Sequence, residues 1–230
     1  MSWNPVWEDV FQNQEWGKYP HESLIRFVAK YFYTGQRGNT RLLEVGCGPG
    51  PNIWYLSREG FVPYGIDGSK NAIEKAQKRL ETEGLKGDLK TGDITRLPYE
   101  DIFFNAVIDA ECLYANTREK TVMILKEIKR VLKNGGLFYS RTFTNEMYVG
   151  RRREELGHLE YFNISDGPLV GKGLARLIDR NEALELYGKF FQVLSLDKAE
   201  WTRNNGSEKI SEWIIICKKE VCHEENLYHR

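Results

Sequence analysis

The chain has 230 residues, 41% of them hydrophobic and 13% aromatic, and its 33 basic and 33 acidic side chains give a formal net charge of zero. That length and apolar content fit one domain, with or without a cap, and a sizeable core, and the charge balance argues against nucleic acid or an anionic membrane as partner. Met1 to Asp9 lacks the basic start and apolar stretch of a signal peptide, and the longest strongly apolar run, Trp213 to Cys217, is far too short to span a bilayer. A cytoplasmic location is expected. Cys47, Cys112, Cys217 and Cys222 show no C-x-x-C spacing and read as reduced, mostly buried thiols. Cys222-His223 with His229 makes a poor metal set, and no metal is expected.

In chain order, residues 1–40 form an aromatic-rich lead-in, in which Leu24, Ile25, Phe27, Val28, Tyr31 and Phe32 recur at helical spacing. Gly35 to Gly38 breaks this helix before a short apolar strand at 41–45. A helix follows from Asn52 to Arg58, closed by Gly60. Phe61 to Ile66 reads as the second strand, with Asp67 at its end. Ser69 is placed to cap a helix from Lys70 to about Glu83, which Gly84 stops. A third strand lies within Leu85 to Thr91, before Gly92-Asp93. Phe103 to Asp109 is a buried strand, Thr117 to Leu132 an amphipathic helix, and Leu137 to Phe143 the fifth strand. This alternation predicts an α/β fold with a doubly wound parallel sheet. Two β-rich runs, Phe191 toward Trp201 and Glu212 to Lys218, flank Asn204-Asn205-Gly206 and predict a long antiparallel hairpin. Residues 144–189 form an insertion after strand five, and a connection that long is usually functional.

The first strand runs straight into Glu44-Val45-Gly46-Cys47-Gly48-Pro49-Gly50. Alternating glycines between a strand and a helix allow left-handed backbone and a ligand close to the chain. A dinucleotide loop would want a glycine where Pro51 stands. Glu44 would repel a pyrophosphate and attract an amino-acid ammonium. The E-x-G-x-G-x-G run resembles motif I of the class I S-adenosyl-L-methionine (SAM) methyltransferases. Asp67, Thr91-Gly92-Asp93-Ile94, Asp109-Ala110-Glu111 and Arg130 to Gly136 extend the resemblance across the core. It implies a seven-stranded, mostly parallel sheet of order 3-2-1-4-5-7-6 with strand 7 antiparallel, and SAM as cofactor. It also implies that Gly46, Gly48 and Gly50 lie under the methionine, that Asp67 takes the ribose hydroxyls, and that Asp93 meets the adenine amino group. The lead-in resembles that of bacterial methyltransferases found with surface-polysaccharide genes, which implies a sugar or surface-glycan precursor as acceptor.

Each candidate also has a plainer reading. Asp67 with Gly68 and Ser69 could serve only as a helix cap, and Asp93, beside Ile94, only as a turn residue. Asp109 ends a buried strand at the crevice, and Glu111 faces either substrate or solvent. Trp16 and Tyr19 either close over the sulfonium through cation–π attraction or staple the lead-in to the sheet. His158, in the insertion, is the first candidate for a general base and Glu111 the second, against a surface role for each. Arg151-Arg152-Arg153 and Lys172 are either solvated or face an anionic substrate. The leading expectation is a SAM-dependent methyltransferase acting on a small-molecule acceptor. A protein methyltransferase and a non-catalytic SAM-binding protein are the alternatives. Base amino methylation is opposed by the absence of D/N-P-P-Y after strand four, and a nicotinamide oxidoreductase by Pro51 and the lack of a Tyr-x-x-x-Lys pair.

Overall fold

Every second residue of the central strands points to the same side, and both sides are apolar. In β1 (Arg41–Val45), Leu42 enters one core layer while Leu43 and Val45 enter the other. In β4 (Phe104–Ala110), Ala106 and Ile108 join Leu42, and Val107 joins Leu43. Leu42, Leu43, Val45, Ala106, Val107 and Ile108 are all fully buried. A strand apolar on both faces must be covered by helices on both faces. The computed structural model, which describes residues 3–221, supplies them. One layer holds α2 (Glu22–Phe32), α3 (Pro51–Arg58) and α4 (Lys70–Thr82). The other holds α5 (Arg118–Val131) and α6 (Arg180–Gly188). Fully burying one leucine-sized side chain stabilises by roughly 1.5–3 kcal/mol, so these shared layers dominate the fold.

The remaining strands of the main sheet are β2 (Val62–Asp67), β3 (Asp88–Thr91), β5 (Leu132–Phe143), β9 (Gln192–Arg203) and β10 (Glu208–Lys218). Their order is β3-β2-β1-β4-β5-β10-β9, with β10 antiparallel to both its neighbours, as the family resemblance implies. The strand order reverses between β1 and β4, which opens a crevice at their carboxyl ends.

Three local features depart from the sequence reading. The fifth strand starts at Leu132 rather than Leu137, because the chain passes directly from α5 into extended backbone. Leu132 pairs with Phe104, and the register then shifts before Ala106 meets Leu137, with Gly135 in the left-handed region at φ 74°. The lead-in holds a second helix, α1 (Val6–Asn13), which packs on α4. The insertion is not a bare loop. It forms a small sheet of β6 (Glu154–Gly157), β7 (Glu160–Phe162) and β8 (Ala175–Arg176), followed by α6. Arg176 is buried and ties this sheet to α5, donating to the Asn116 carbonyl, the Thr121 hydroxyl and Glu182. Trp213 Nε1 donates to the Ile178 carbonyl at 3.0 Å and fixes the return of the chain. Cys222, His223 and His229 lie outside the described residues. Among the described residues no helix is long and apolar enough to cross a membrane.

Gly50 is the glycine on which helix packing depends. It sits at φ 75°, and a Cβ there would lie 2.8 Å from the Cβ of Ala76 on α4. Left-handed backbone costs a residue with a Cβ roughly 1–2 kcal/mol, and the clash adds to it. Gly50→Ala should therefore lower the urea midpoint by at least that free energy at an unchanged m-value. An unchanged midpoint would show that α3 and α4 can separate freely.

Candidate active site

Three carboxylates end the central strands, and each is satisfied differently. Asp67, at the end of β2, is 7% exposed. Its Oδ2 accepts from the Gly48 N–H and its Oδ1 from the Ser69 N–H, both at 2.8 Å. Burial raises its pKa, and the backbone donors Ser69, Gly48 and Gly68 oppose the rise. Asp109, on β4, is fully buried. It accepts from the backbone of Cys112 and Leu113, which opens the 3-10 turn at Leu113–Ala115, and from Ser140 Oγ at 2.5 Å. Burial pushes its pKa up to about 6, against those hydrogen bonds.

Glu44, on β1, is also buried, but only one of its oxygens is satisfied. Asn52 Nδ2 donates to Oε1 at 2.5 Å, while Oε2 is buried with no hydrogen-bond partner. Burial pushes this carboxyl well up, Asn52 opposes the rise, and Asp67 and Asp109 add to it. A cation at Oε2 would restore the ionised form and remove the cost of an unpaired buried acceptor. The methionyl ammonium of SAM is such a cation. Gly46 and Gly48 complete the cradle in left-handed backbone, at φ 66° and 50°. A Cβ on Gly46 would strike Cys112 Sγ, and one on Gly48 would press on the Phe11 ring at 3.3 Å. The residues present therefore fit SAM.

Three clefts meet at this edge of the sheet. The first is walled by Trp3, Trp7, Asp67, Gly68, Gly92 and Ile94. The second is walled by Glu44, Gly46, Gly48, Trp16, Tyr19 and His21. A third has mixed walls, with Phe143, Met147, Leu169 and Ile210 beside Arg203 and Glu212. Only His21, Glu111, Tyr114 and Lys172 line both the second and the third.

Glu111 organises this junction. It takes a left-handed φ of 59°, rare for a residue with a Cβ, immediately after β4. Its N–H donates to the Arg141 carbonyl at 2.9 Å. Its Oε1 lies 3.4 Å from His21 Nε2 and 3.5 Å from Arg141 Nη1. Arg141 is buried on β5 and also donates through Nε and Nη2 to Glu212 on β10. His21 stands at the rim with its side chain about half exposed. Partial burial first, and Arg141 second, hold its pKa below the ordinary value, with Glu111 pulling the other way.

Of the residues singled out from sequence, Glu44, Gly46, Gly48, Asp67, Gly68, Ile94, Trp16, Tyr19 and Glu111 line the clefts. Gly50 packs α3 on α4 and Ser69 caps α4 by accepting from the Ala72 N–H, so neither is a wall residue. Asp93 accepts from the backbone and hydroxyl of Thr95 in a turn, beside wall residues Gly92 and Ile94 but not itself a wall. Asp109 faces inward to Ser140. His158 is not brought to the site. It occupies the exposed turn between β6 and β7, because the insertion folds into its own hairpin there. Arg151, Arg152 and Arg153 are likewise exposed, in the bend just before β6. Sequence reasoning missed His21, Tyr114 and the α1 aromatics Trp7 and Phe11. No motif marks them; α1, packed against α4, brings Trp7 and Phe11 over the loop, while His21 precedes α2 and Tyr114 lies in the turn after β4.

Residues 42–136 match the family model of the methyltransferase domain. Over 100 residues the chain is 38% identical to a protein of Mycobacterium ulcerans (strain Agy99) named probable phthiotriol/phenolphthiotriol dimycocerosates methyltransferase 2, a match covering 43% of this chain and 37% of that one. The matched stretch spans about a third to a half of the curated relatives' length. Among solved structures, a SAM-dependent methyltransferase of Methanosarcina mazei superposes with TM-score 0.71 at 20% identity, over 88% of this chain and 99% of that one. The 1,6-didemethyltoxoflavin-N1-methyltransferase of Burkholderia thailandensis, solved with 1,6-didemethyltoxoflavin and S-adenosylhomocysteine bound, gives 0.64 at 16%, over 86% and 76%. Residues 42–136, which match the methyltransferase domain, carry the Gly loop, Glu44, Asp67 and Glu111, and the fold around them is that of solved SAM-dependent methyltransferases.

Proposed function

We propose that this chain transfers a methyl group from SAM to a small-molecule acceptor held in the third cleft, with His21 as general base. The observation that carries the reading is the junction, where His21, Glu111, Tyr114 and Lys172 wall both the Gly-loop cleft and the third cleft. When bound, SAM supplies a methyl already activated on a sulfonium, which passes in line to a nucleophile as the carbon–sulfur bond breaks. Glu44 Oε2 and the loop backbone would hold the methionine end, and Asp67, in the adjoining cleft, the ribose. Asp67 retains lone pairs beyond its two backbone bonds and can accept from a hydroxyl.

The protein's main task is alignment and exclusion of water. Trp7, Phe11 and Trp16 form a continuous aromatic wall, with centroids 5.5 Å apart for Trp7–Phe11 and 5.2 Å for Phe11–Trp16. His21 takes the acceptor's proton. Its Nε2 faces Glu111, which stabilises the imidazolium, so Nδ1 is the accepting nitrogen. Arg141 Nη1, 3.5 Å from Glu111 Oε1, holds that carboxylate in place. The insertion contributes Met147, Leu169 and Lys172 to the acceptor walls. Phe143, Met147, Leu169 and Ile210 can take an apolar part of the acceptor, and Arg203 and Glu212 a polar one.

Calorimetry tests the cofactor half. Asp67→Ala removes a charged acceptor worth roughly 1.5–3 kcal/mol, so SAM affinity should fall about tenfold to a hundredfold. Gly48→Val should abolish binding while circular dichroism stays unchanged. A loss under about twofold in Asp67→Ala would put the ribose elsewhere.

Transfer of labelled methyl to a panel of hydroxyl and amine acceptors tests the catalytic half. His21→Gln should lower kcat by roughly a hundredfold to ten-thousandfold, the usual worth of a positioned base, with SAM affinity retained. Because the folded His21 pKa is lowered, the imidazole is neutral at pH 7. The rate should therefore fall only as pH drops below the ordinary imidazole range, and that limb should vanish in the variant. An unchanged kcat would remove His21 from the mechanism.

A further inference from the structure

Gly68 is a glycine that its own backbone does not require. It follows Asp67 at the end of β2 and lies outside the left-handed region that Gly46, Gly48 and Gly50 occupy. Its φ is therefore open to a residue with a side chain. What excludes a side chain is Trp3. A Cβ on Gly68 would lie 2.5 Å from both Cγ and Cδ2 of the Trp3 indole and 2.9 Å from Cδ1. An aromatic ring of the lead-in thus fills the space of the side chain that Gly68 lacks.

The strap that carries Trp3 is held from two sides. Asn4 Oδ1 accepts from the Val6 N–H at 3.1 Å at the start of α1, and Glu8 Oε1 on that helix accepts from the Asn71 N–H at 3.2 Å at the start of α4. Opposite, a Cβ on Gly173 would collide with Asn4 Nδ2, so the insertion presses on the same strap. Trp7, one turn on, is packed among Phe11 and Tyr114. Trp3 instead stands against Gly68, beside Asp67.

Trp3, Asp67, Gly68 and Ile94 wall the first cleft, and Asp67 and Glu111 are its only charged walls among the described residues. With the ammonium of SAM at Glu44 in the second cleft and the ribose at Asp67 in the first, the cofactor runs from the second cleft into the first. Its remaining part is the adenine, flat and uncharged, which then lies past the ribose among the walls of the first cleft. Such a base stacks on the face of an aromatic ring, and the indole offers the largest face of any side chain.

We propose that the Trp3 indole packs on the adenine of SAM, so that the lead-in supplies the apolar surface that β2 leaves out at Gly68. The proposal rests on the methyltransferase reading, since it takes the first cleft as the adenosine end of the cofactor site.

The test titrates the full chain calorimetrically with S-adenosylhomocysteine. Base–aromatic stacking is worth roughly fivefold to a hundredfold in affinity on alanine substitution, so Trp3→Ala should weaken binding within that range. Trp3→Phe, which keeps a ring, should lose less. Gly68→Leu alone should weaken binding, because leucine and indole compete for one space. Introduced into Trp3→Ala, the same leucine should strengthen binding, since it restores an apolar surface at that spot. Unchanged affinity in Trp3→Ala overturns the proposal. So does tighter binding, because Trp3 then occupies the place of the base instead of covering it. A Trp3→Ala/Gly68→Leu double variant that binds no better than Trp3→Ala also overturns it, because the indole then does not stand in for a side chain at position 68. Failure of the wild type to bind S-adenosylhomocysteine would instead overturn the methyltransferase reading on which the proposal rests.

Discussion

Three buried carboxylates at the carboxyl ends of adjacent parallel strands are the constraint around which this molecule is arranged. Glu44, Asp67 and Asp109 are each less than a tenth exposed, and burying an acid without donors is expensive. The local backbone answers the demand. The Gly loop turns so that the Gly48 N–H meets Asp67, and the start of α4 brings the Ser69 N–H to its other oxygen. The chain after β4 folds back to give Asp109 two further N–H groups. Glu44 alone keeps an empty acceptor. The loop conformation, the helix start and the turn after β4 all satisfy two of the acids, and the third is left with one buried oxygen unmatched.

The second theme is charge brought to a place the core cannot hold it. Arg141 and Glu212 belong to neighbouring strands β5 and β10 and are both buried. Their pairing is what allows a guanidinium under the crevice floor, since a buried charge without its partner is strongly destabilising. Arg141 then reaches Glu111, and Glu111 reaches His21. Each link carries a charge one step further from the core toward the rim. The left-handed backbone at Glu111 is part of the same arrangement, held by its N–H bond to Arg141.

The covers of the crevice come from the two parts of the chain furthest from the family core. The helix at Val6–Asn13 is amphipathic and buries Val10 and Phe11, and its Glu8 accepts from the Asn71 N–H at the start of α4. The insertion has its own small core, in which Tyr114, Phe143, Met147, Ile164, Leu169 and Leu177 are buried together. Neither cover could bury enough apolar surface alone. Each is stable because it finishes a face that the sheet leaves open.

The sequence by itself determined the sheet and the cofactor edge. Period-two burial in β1 and β4, glycines at 46, 48 and 50, and acids at strand ends are local signals, set by backbone sterics and side-chain alternation within a few residues. They placed Glu44, Gly46, Gly48 and Asp67 on the crevice without any tertiary information. Local signals do not report which side chains meet across long separations. His158 looked suited to proton transfer because a lone histidine sat in a long connection, yet that connection closes into a hairpin that points its turn to solvent. His21, Glu111, Arg141 and Glu212 are drawn from the lead-in, the end of β4, β5 and β10. Only the tertiary structure decided that they form one chain of charges, because their pairing depends on strand order and on the packing of the lead-in against the sheet, and neither is encoded by spacing in the sequence.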